Sequence, residues 1–177
     1  TGIGYEVAYE LAKRGATVIM ACRDMKKAKE ASESLRTATS NENVFVEELN
    51  LASFRSVKEF ANRMQVKYNK INYLINNAGV MACPYFKTED DFEYQIQVNY
   101  LSHYLLTRLL LNILEQTPAS RIVNVTSKLY ESKTSESYSF EIENSKINEI
   151  SSFTFQKLVR CIGKMVKSIL RTSSIRS

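Results

Sequence analysis

The sequence predicts an α/β domain built on a doubly wound parallel sheet. Three observations lead there. Short β-rich runs alternate with amphipathic helical stretches as far as "RIVNVT", 121–126. The links between them are short, which makes successive strands parallel and the crossovers right-handed. And "TGIG", residues 1–4, opens directly onto a helix, as a glycine turn does where such a sheet receives its ligand.

The elements follow in order. Residues 3–14 set Ile3, Val7, Ala8, Leu11 and Ala12 on one helix face, and Gly15 is a stop signal. "ATVIMAC", 16–22, is a continuous apolar run, as in a strand covered on both faces. "MKKAKEASESLRTA" reads as a polar helix with a narrow stripe of Ala28, Ala31 and Leu35. "NVFVEEL" is the next strand. In "SFRSVKEFANRMQVKY" the helical stripe is Val57, Phe60, Ala61 and Met64, with Ser53 as N-cap. "INYLIN" is a third strand. Thr88 and Asp91 in "TEDD" suggest a capping box before a long helix from about 90 to 115, which Pro118 closes. "RIVNVT" is the fourth strand. From about 131 the chain turns polar and Ser-rich, as in a long loop. A helical stripe returns after Phe153, through Leu158, Cys161, Ile162, Met165, Val166 and Ile169.

At 177 residues the length favours one domain, and 44% hydrophobic residues can furnish a core. The net charge is +5. Part of the excess lies in "KLVRCIGKMVKSILRTSSIRS", which has no acid. It is read as a solvated helix face, because no aromatics interleave with its charges as a nucleic-acid surface would require. Cys22, Cys83 and Cys161 are odd in number and far apart, and His103 is the single histidine. That excludes the usual zinc spacings and fits a reduced, intracellular protein, in the cytoplasm or on the cytoplasmic face of an organelle membrane. No run reaches the ~20 apolar residues of a membrane-spanning helix.

The chemistry begins at the glycines. Gly2 and Gly4 let backbone approach a phosphate closely, and the free N–H groups of a helix N-terminus favour the anion. In a dinucleotide site the ribose is met about twenty residues on, at the end of the next strand. There "ACRD" offers Arg23, which suits the additional phosphate of NADP better than the hydroxyls of NAD. "NNAG", 76–79, follows the third strand. Its small residues and amides can line a cofactor, although the same residues also make a plain turn.

Taken with "VNYLSHYLLT" and "SRIVNVTS", these strings resemble the short-chain dehydrogenase/reductase family, in particular its retinol dehydrogenase-like branch. The likeness is clear over 1–128 and faint over 129–177. It implies a single, incomplete Rossmann domain lacking its first strand and its C-terminal part. Thr1-Gly2-Ile3-Gly4 match only the last four positions of the family's TG-x-x-x-G-x-G turn. The resemblance implies that Gly2, Ile3, Gly4, Arg23, Asn50, Leu51, Asn77, Ala78 and Gly79 bind NADP. It assigns Asn99, Ser127 and Lys157 to catalysis, and Asn50 replaces the usual aspartate. The family's Tyr-x-x-x-Lys pair falls on "FTFQK", where Phe153 stands in the tyrosine place and Lys157 in that of the lysine.

Three readings follow. The first is an NADP-dependent oxidoreductase interconverting a hydrophobic, retinol-like alcohol and its carbonyl. The second, favoured by Phe153, is a catalytically dead NADP-binding or interaction module. The third is a fragment of a longer gene. The resemblance also implies a homo-oligomer through the helix at about 90–115. The stripe Leu101, Leu105, Leu109 and Ile113 would serve there, unless it packs on the sheet.

Overall fold

The computed structural model describes residues 2–126. Thr1, Ser127, Phe153, Lys157 and Cys161 lie outside the described residues, with the Ser-rich loop and the last helical stripe.

Helix α1 is Ile3–Ala12, and the chain leaves it through Gly15 at φ 78°, a left-handed turn that glycine adopts without strain. Strand β1, Val18–Cys22, pairs in parallel with β2, Val44–Glu48, with Val18 opposite Val44. Between them runs α2, Met25–Thr39, capped by Asp24, whose carboxylate accepts from Lys27 N at 3.1 Å. Its buried stripe is Ala28, Ser32 and Leu35. Ser32 takes the place expected for Ala31, because its hydroxyl can be buried by donating to the Lys29 carbonyl. Helix α3, Phe54–Lys67, buries Val57, Phe60, Ala61 and Met64 and is capped by Ser53, as the sequence predicts. Strands β3, Tyr73–Asn76, and β4, Arg121–Asn124, form a second parallel pair.

The two pairs share one layer. On one face, α1 packs through Ala8 and Ala12 with Val18 and Met20 of β1, and through Val7 on Ile75 of β3. On the other face, the cluster formed by α3 and the helix after β3 receives Ile19 of β1 and Leu74 of β3. Yet β1 and β3 are not hydrogen-bonded to each other. The sheet that the sequence predicts is therefore present as two halves. In "VIMAC", apolar throughout, Val18 is buried and Ala21 exposed, while helices cover both faces of the strand.

The long helix differs from expectation in two ways. It starts at Tyr94, because the N-cap is Glu93, whose carboxylate accepts from Gln95 N and Ile96 N at 2.9 and 2.8 Å. The capping box at Thr88 and Asp91 is not formed. Asp91 sits at φ 65°, outside any helix, and the Thr88 hydroxyl bonds Gln97 instead. Second, the helix is interrupted: α4, Tyr94–Ile96, passes through a π turn, Gln97–Leu101, into α5, Ser102–Gln116. The residues facing the core are Tyr94, Val98, Ser102, Leu106 and Leu110. Leu105 and Leu109 pack against the same core, and Ile113 is buried in it, so most of the stripe read as a partner surface is engaged within the chain.

Glu47 joins β2 to α3. Lys67 and Arg63 both pair with its carboxylate, and its side chain is only 13% exposed. The hydrogen bond from Lys67, followed by the charges of Lys67 and Arg63, holds it below the usual carboxylate range against the opposing effect of burial. A carboxylate depressed in the folded state stabilises above its unfolded pKa, and that stability is lost as pH falls through the folded value. Glu47→Gln is therefore expected to cost about 0.5–1 kcal/mol near neutrality and to cost progressively less in acid. Urea unfolding at a series of pH values measures it.

Candidate functional site

The carboxyl ends of β1, β2 and β3 meet one helical element, α4 through α5. Arg23, just past β1, donates from Nη1 to the Tyr94 hydroxyl at 3.0 Å. Leu51, past β2, accepts the Ser102 hydroxyl on its carbonyl at 2.5 Å. Ala78, past β3, has its carbonyl 2.8 Å from His103 Nε2. Val80 is held by Asn99 on both sides: the amide oxygen accepts from Val80 N, and the amide nitrogen donates to Val80 O, each at 2.8 Å. The Asn99 side chain thus bonds the loop as a neighbouring strand's peptide would.

The π turn places Asn99. A π turn fits one more residue into the helix than an α turn, and such turns recur at functional sites. Four residues on, His103 falls on the same side. Between them, Asn99 and His103 fix the loop 78–80 from one helix.

The glycine turn closes the site. Gly2 is the N-cap of α1 at φ 73°, so no side chain caps the helix and the N–H groups of Ile3 and Gly4 have no partner within it. A Cβ on Gly4 would lie 2.8 Å from Asn77 Nδ2, so the absence of a side chain brings the asparagine against the first turn. Asn77 Oδ1 is buried with no hydrogen-bond partner, as is Nδ1 of His103. Uncapped helix N–H groups and orphaned polar atoms around a close backbone approach suit a polar ligand that carries phosphate.

Gly2, Ile3, Gly4, Asn77, Ala78, Gly79 and Asn99 are therefore gathered together. Arg23 is joined to the same helix through Tyr94, which also stacks on Phe86 with ring centroids 4.4 Å apart. Asn50 is less available than the sequence suggests. Its Oδ1 already accepts from Ala52 N at 3.0 Å, so the side chain is held in a local turn. The Leu51 side chain is buried in the core and its carbonyl is taken by the Ser102 hydroxyl, so this residue too is less available than the sequence suggests. Cys22, at the end of β1, has its thiol pushed up by burial, with Asp24 adding to the effect. Cys22 and Cys83 are both free thiols. Among the described residues no cluster of His, Cys, Asp or Glu could hold a metal.

Sequence reasoning missed Thr107, Asn124 and His103, and read Asn76 only as part of "NNAG". Asn76 is buried and donates to Asn124 Oδ1 at 2.8 Å and to Thr107 Oγ1 at 3.2 Å, tying β3 to β4 and α5 just beneath the loop. The signal for His103 was present: it lies one helical turn beyond Asn99.

The sequence pattern of the short chain dehydrogenase family matches residues 1–139. Mouse retinol dehydrogenase 13 is 50% identical over 127 residues, covering 72% of this chain and 38% of the relative. Human retinol dehydrogenase 11 is 50% identical over the same length, covering 72% of this chain and 40% of the relative. The chain thus spans about two fifths of the length of these relatives. Among solved structures, a short chain dehydrogenase from Escherichia coli CFT073, complexed with NADPH, superposes with a TM-score of 0.58 at 27% identity, covering 68% of this chain and 52% of that one.

Proposed function

The chain belongs to the short-chain dehydrogenase family, within its retinol dehydrogenase-like branch, and from that premise we propose that it binds NADP and serves the interconversion of a hydrophobic, retinol-like alcohol and its aldehyde or ketone. The observation that carries this is the uncapped start of α1, seated on Asn77 through Gly4 and facing a loop held by Asn99.

Gly2, Ile3 and Gly4 would take the pyrophosphate on their N–H groups, and Arg23 the ribose phosphate. Asn77, Ala78 and Gly79 would line the nicotinamide end, and the Asn50 amide, with Leu51 beside it, the adenine end. When bound, the cofactor supplies the hydride chemistry. The protein's own residues position and exclude: Asn99 and His103 hold the loop, while Ser127 would hold the substrate oxygen and Lys157 support proton movement. A homo-oligomer would use the outward face of the π turn and α5, where Tyr100 and Tyr104 are exposed.

Fluorescence titration with NADPH and NADH tests the reading. NADPH is expected to bind more tightly, and Arg23→Glu to reduce its affinity about 10- to 100-fold, the worth of a charge-assisted hydrogen bond, while leaving NADH nearly unaffected. Equal affinities in the unaltered protein would overturn the NADP assignment. A second reading, an NADP-binding module without turnover, is favoured by Phe153.

A further inference from the structure

We propose that Tyr94 is the residue that sets the preference for NADP, by holding Arg23 in the pose that meets the additional phosphate. Tyr94 acts through Arg23, so this role rests on the NADP reading. Arg23 is exposed and follows β1 directly, ahead of Asp24, the N-cap of α2. Its backbone is therefore fixed, while its long side chain is free to turn. A loose guanidinium spreads over many rotamers, and a ligand that orders it must offset that entropy. Here one N–H is already tied: Nη1 donates to the Tyr94 hydroxyl at 3.0 Å, across 71 positions of sequence.

The anchor is rigid. The Tyr94 ring is buried in the α3–α5 core and stacks on Phe86 with an interplanar angle of 25°. Tyr94 N also donates to Phe86 O at 3.1 Å, so backbone and ring fix the same pair. A tyrosine has only two side-chain torsions, and with its ring held the hydroxyl has one place to be. The chemistry of the anchor matters as much as its position. A phenol is neutral, so it takes one of the five N–H groups and leaves the charge whole. A carboxylate partner would take two donors and offset the charge that a phosphate needs. Among the described residues no ion pair involves Arg23. The guanidinium is thus aimed in advance and not neutralised, and such preorganisation raises affinity without a new contact. The ribose of NAD carries only hydroxyls at that place, so the same hold does little for it.

The test is fluorescence titration of the full chain with NADPH and NADH. Tyr94→Phe keeps the buried ring and its stack and removes only the hydroxyl, so circular dichroism and the thermal midpoint should be unchanged. It is expected to bind NADPH about 3- to 10-fold more weakly, the worth of one hydrogen bond, with NADH unaffected. In an Arg23→Met background the same substitution should change nothing, because the hydroxyl then has no guanidinium to aim. A merely structural tyrosine would show the same loss in both backgrounds. Phe86→Leu, which loosens the stack and touches neither partner of the hydrogen bond, should weaken NADPH binding in the same direction. Three results would overturn the proposal: unchanged or tighter NADPH binding by Tyr94→Phe, an equal loss with and without Arg23, or no preference for NADPH in the unaltered chain. The first two leave the assignment of NADP to Arg23 standing, and only the third removes it as well.

Discussion

Phe153→Tyr is expected to raise the rate of aldehyde reduction by about 10²–10⁴-fold, the usual worth of a positioned proton donor. The family's acid/base pair is a tyrosine followed four residues later by a lysine. On a helix that spacing puts both on one side, and the ammonium lowers the phenol pKa toward neutrality. In "FTFQK" the lysine is present as Lys157, but the ring of Phe153 has no proton to give. The unaltered chain should therefore bind NADPH and turn over very slowly. The measurement is NADPH oxidation with a hydrophobic aldehyde, for the unaltered chain, Phe153→Tyr, and Phe153→Tyr combined with Lys157→Met. The double variant should lose most of the gain. Turnover at ordinary family rates in the unaltered chain would show that Phe153 does not occupy the tyrosine position, and would remove the case for a non-catalytic module.

The largest effect on stability is expected at Gln97. It is fully buried at the start of the π turn. Its Nε2 donates to Asp90 Oδ2 at 2.6 Å, and its Oε1 is bonded by the Thr88 hydroxyl. The same Asp90 oxygen accepts from Phe54 N at 2.8 Å, at the first residue of α3. One side chain thus links the 88–90 loop, the π turn and the start of α3. Gln97→Leu keeps most of the volume but leaves a carboxylate and a hydroxyl with fewer partners, so it should cost about 2–3 kcal/mol. The midpoint of thermal unfolding should fall by roughly 5–10 °C. A change within error would mean that water replaces the amide at no cost.

Where physical signals are local, the sequence was legible. Val57, Phe60, Ala61 and Met64 are buried because a period of 3.6 leaves them no other face. Ser53 caps α3 because a hydroxyl before a helical run has a free N–H to meet. The glycine turn and "NNAG" were legible as a pair, and Gly4 does lie against Asn77. The misses are non-local. Glu93 displaced the expected capping box because the left-handed backbone at Asp91 delays the helix, which no local pattern announces. The π turn is tied through Gln97 to the 88–90 loop and through Asn99 to the 78–80 loop. Arg23 was found, but its partner Tyr94 lies 71 residues away and only folding joins them. Asn76 and Asn124 come together only because β3 and β4 pair in register.

The π turn also sets how this helix can change length. Because it holds one residue more than an α turn, deleting one residue between Gln97 and Leu101 would let the helix run straight from Tyr94 to Gln116. The wider turn takes up its added residue without adding to the rotation, so Tyr94 and Val98 before it and Leu106 and Leu110 after it would keep their side toward the core. What would change is the turn itself, where Asn99 holds Val80. The same deletion inside α5 would instead swing everything before it by about 100° about the axis. The core thus tolerates the loss of a residue at the π turn better than anywhere else along this helix.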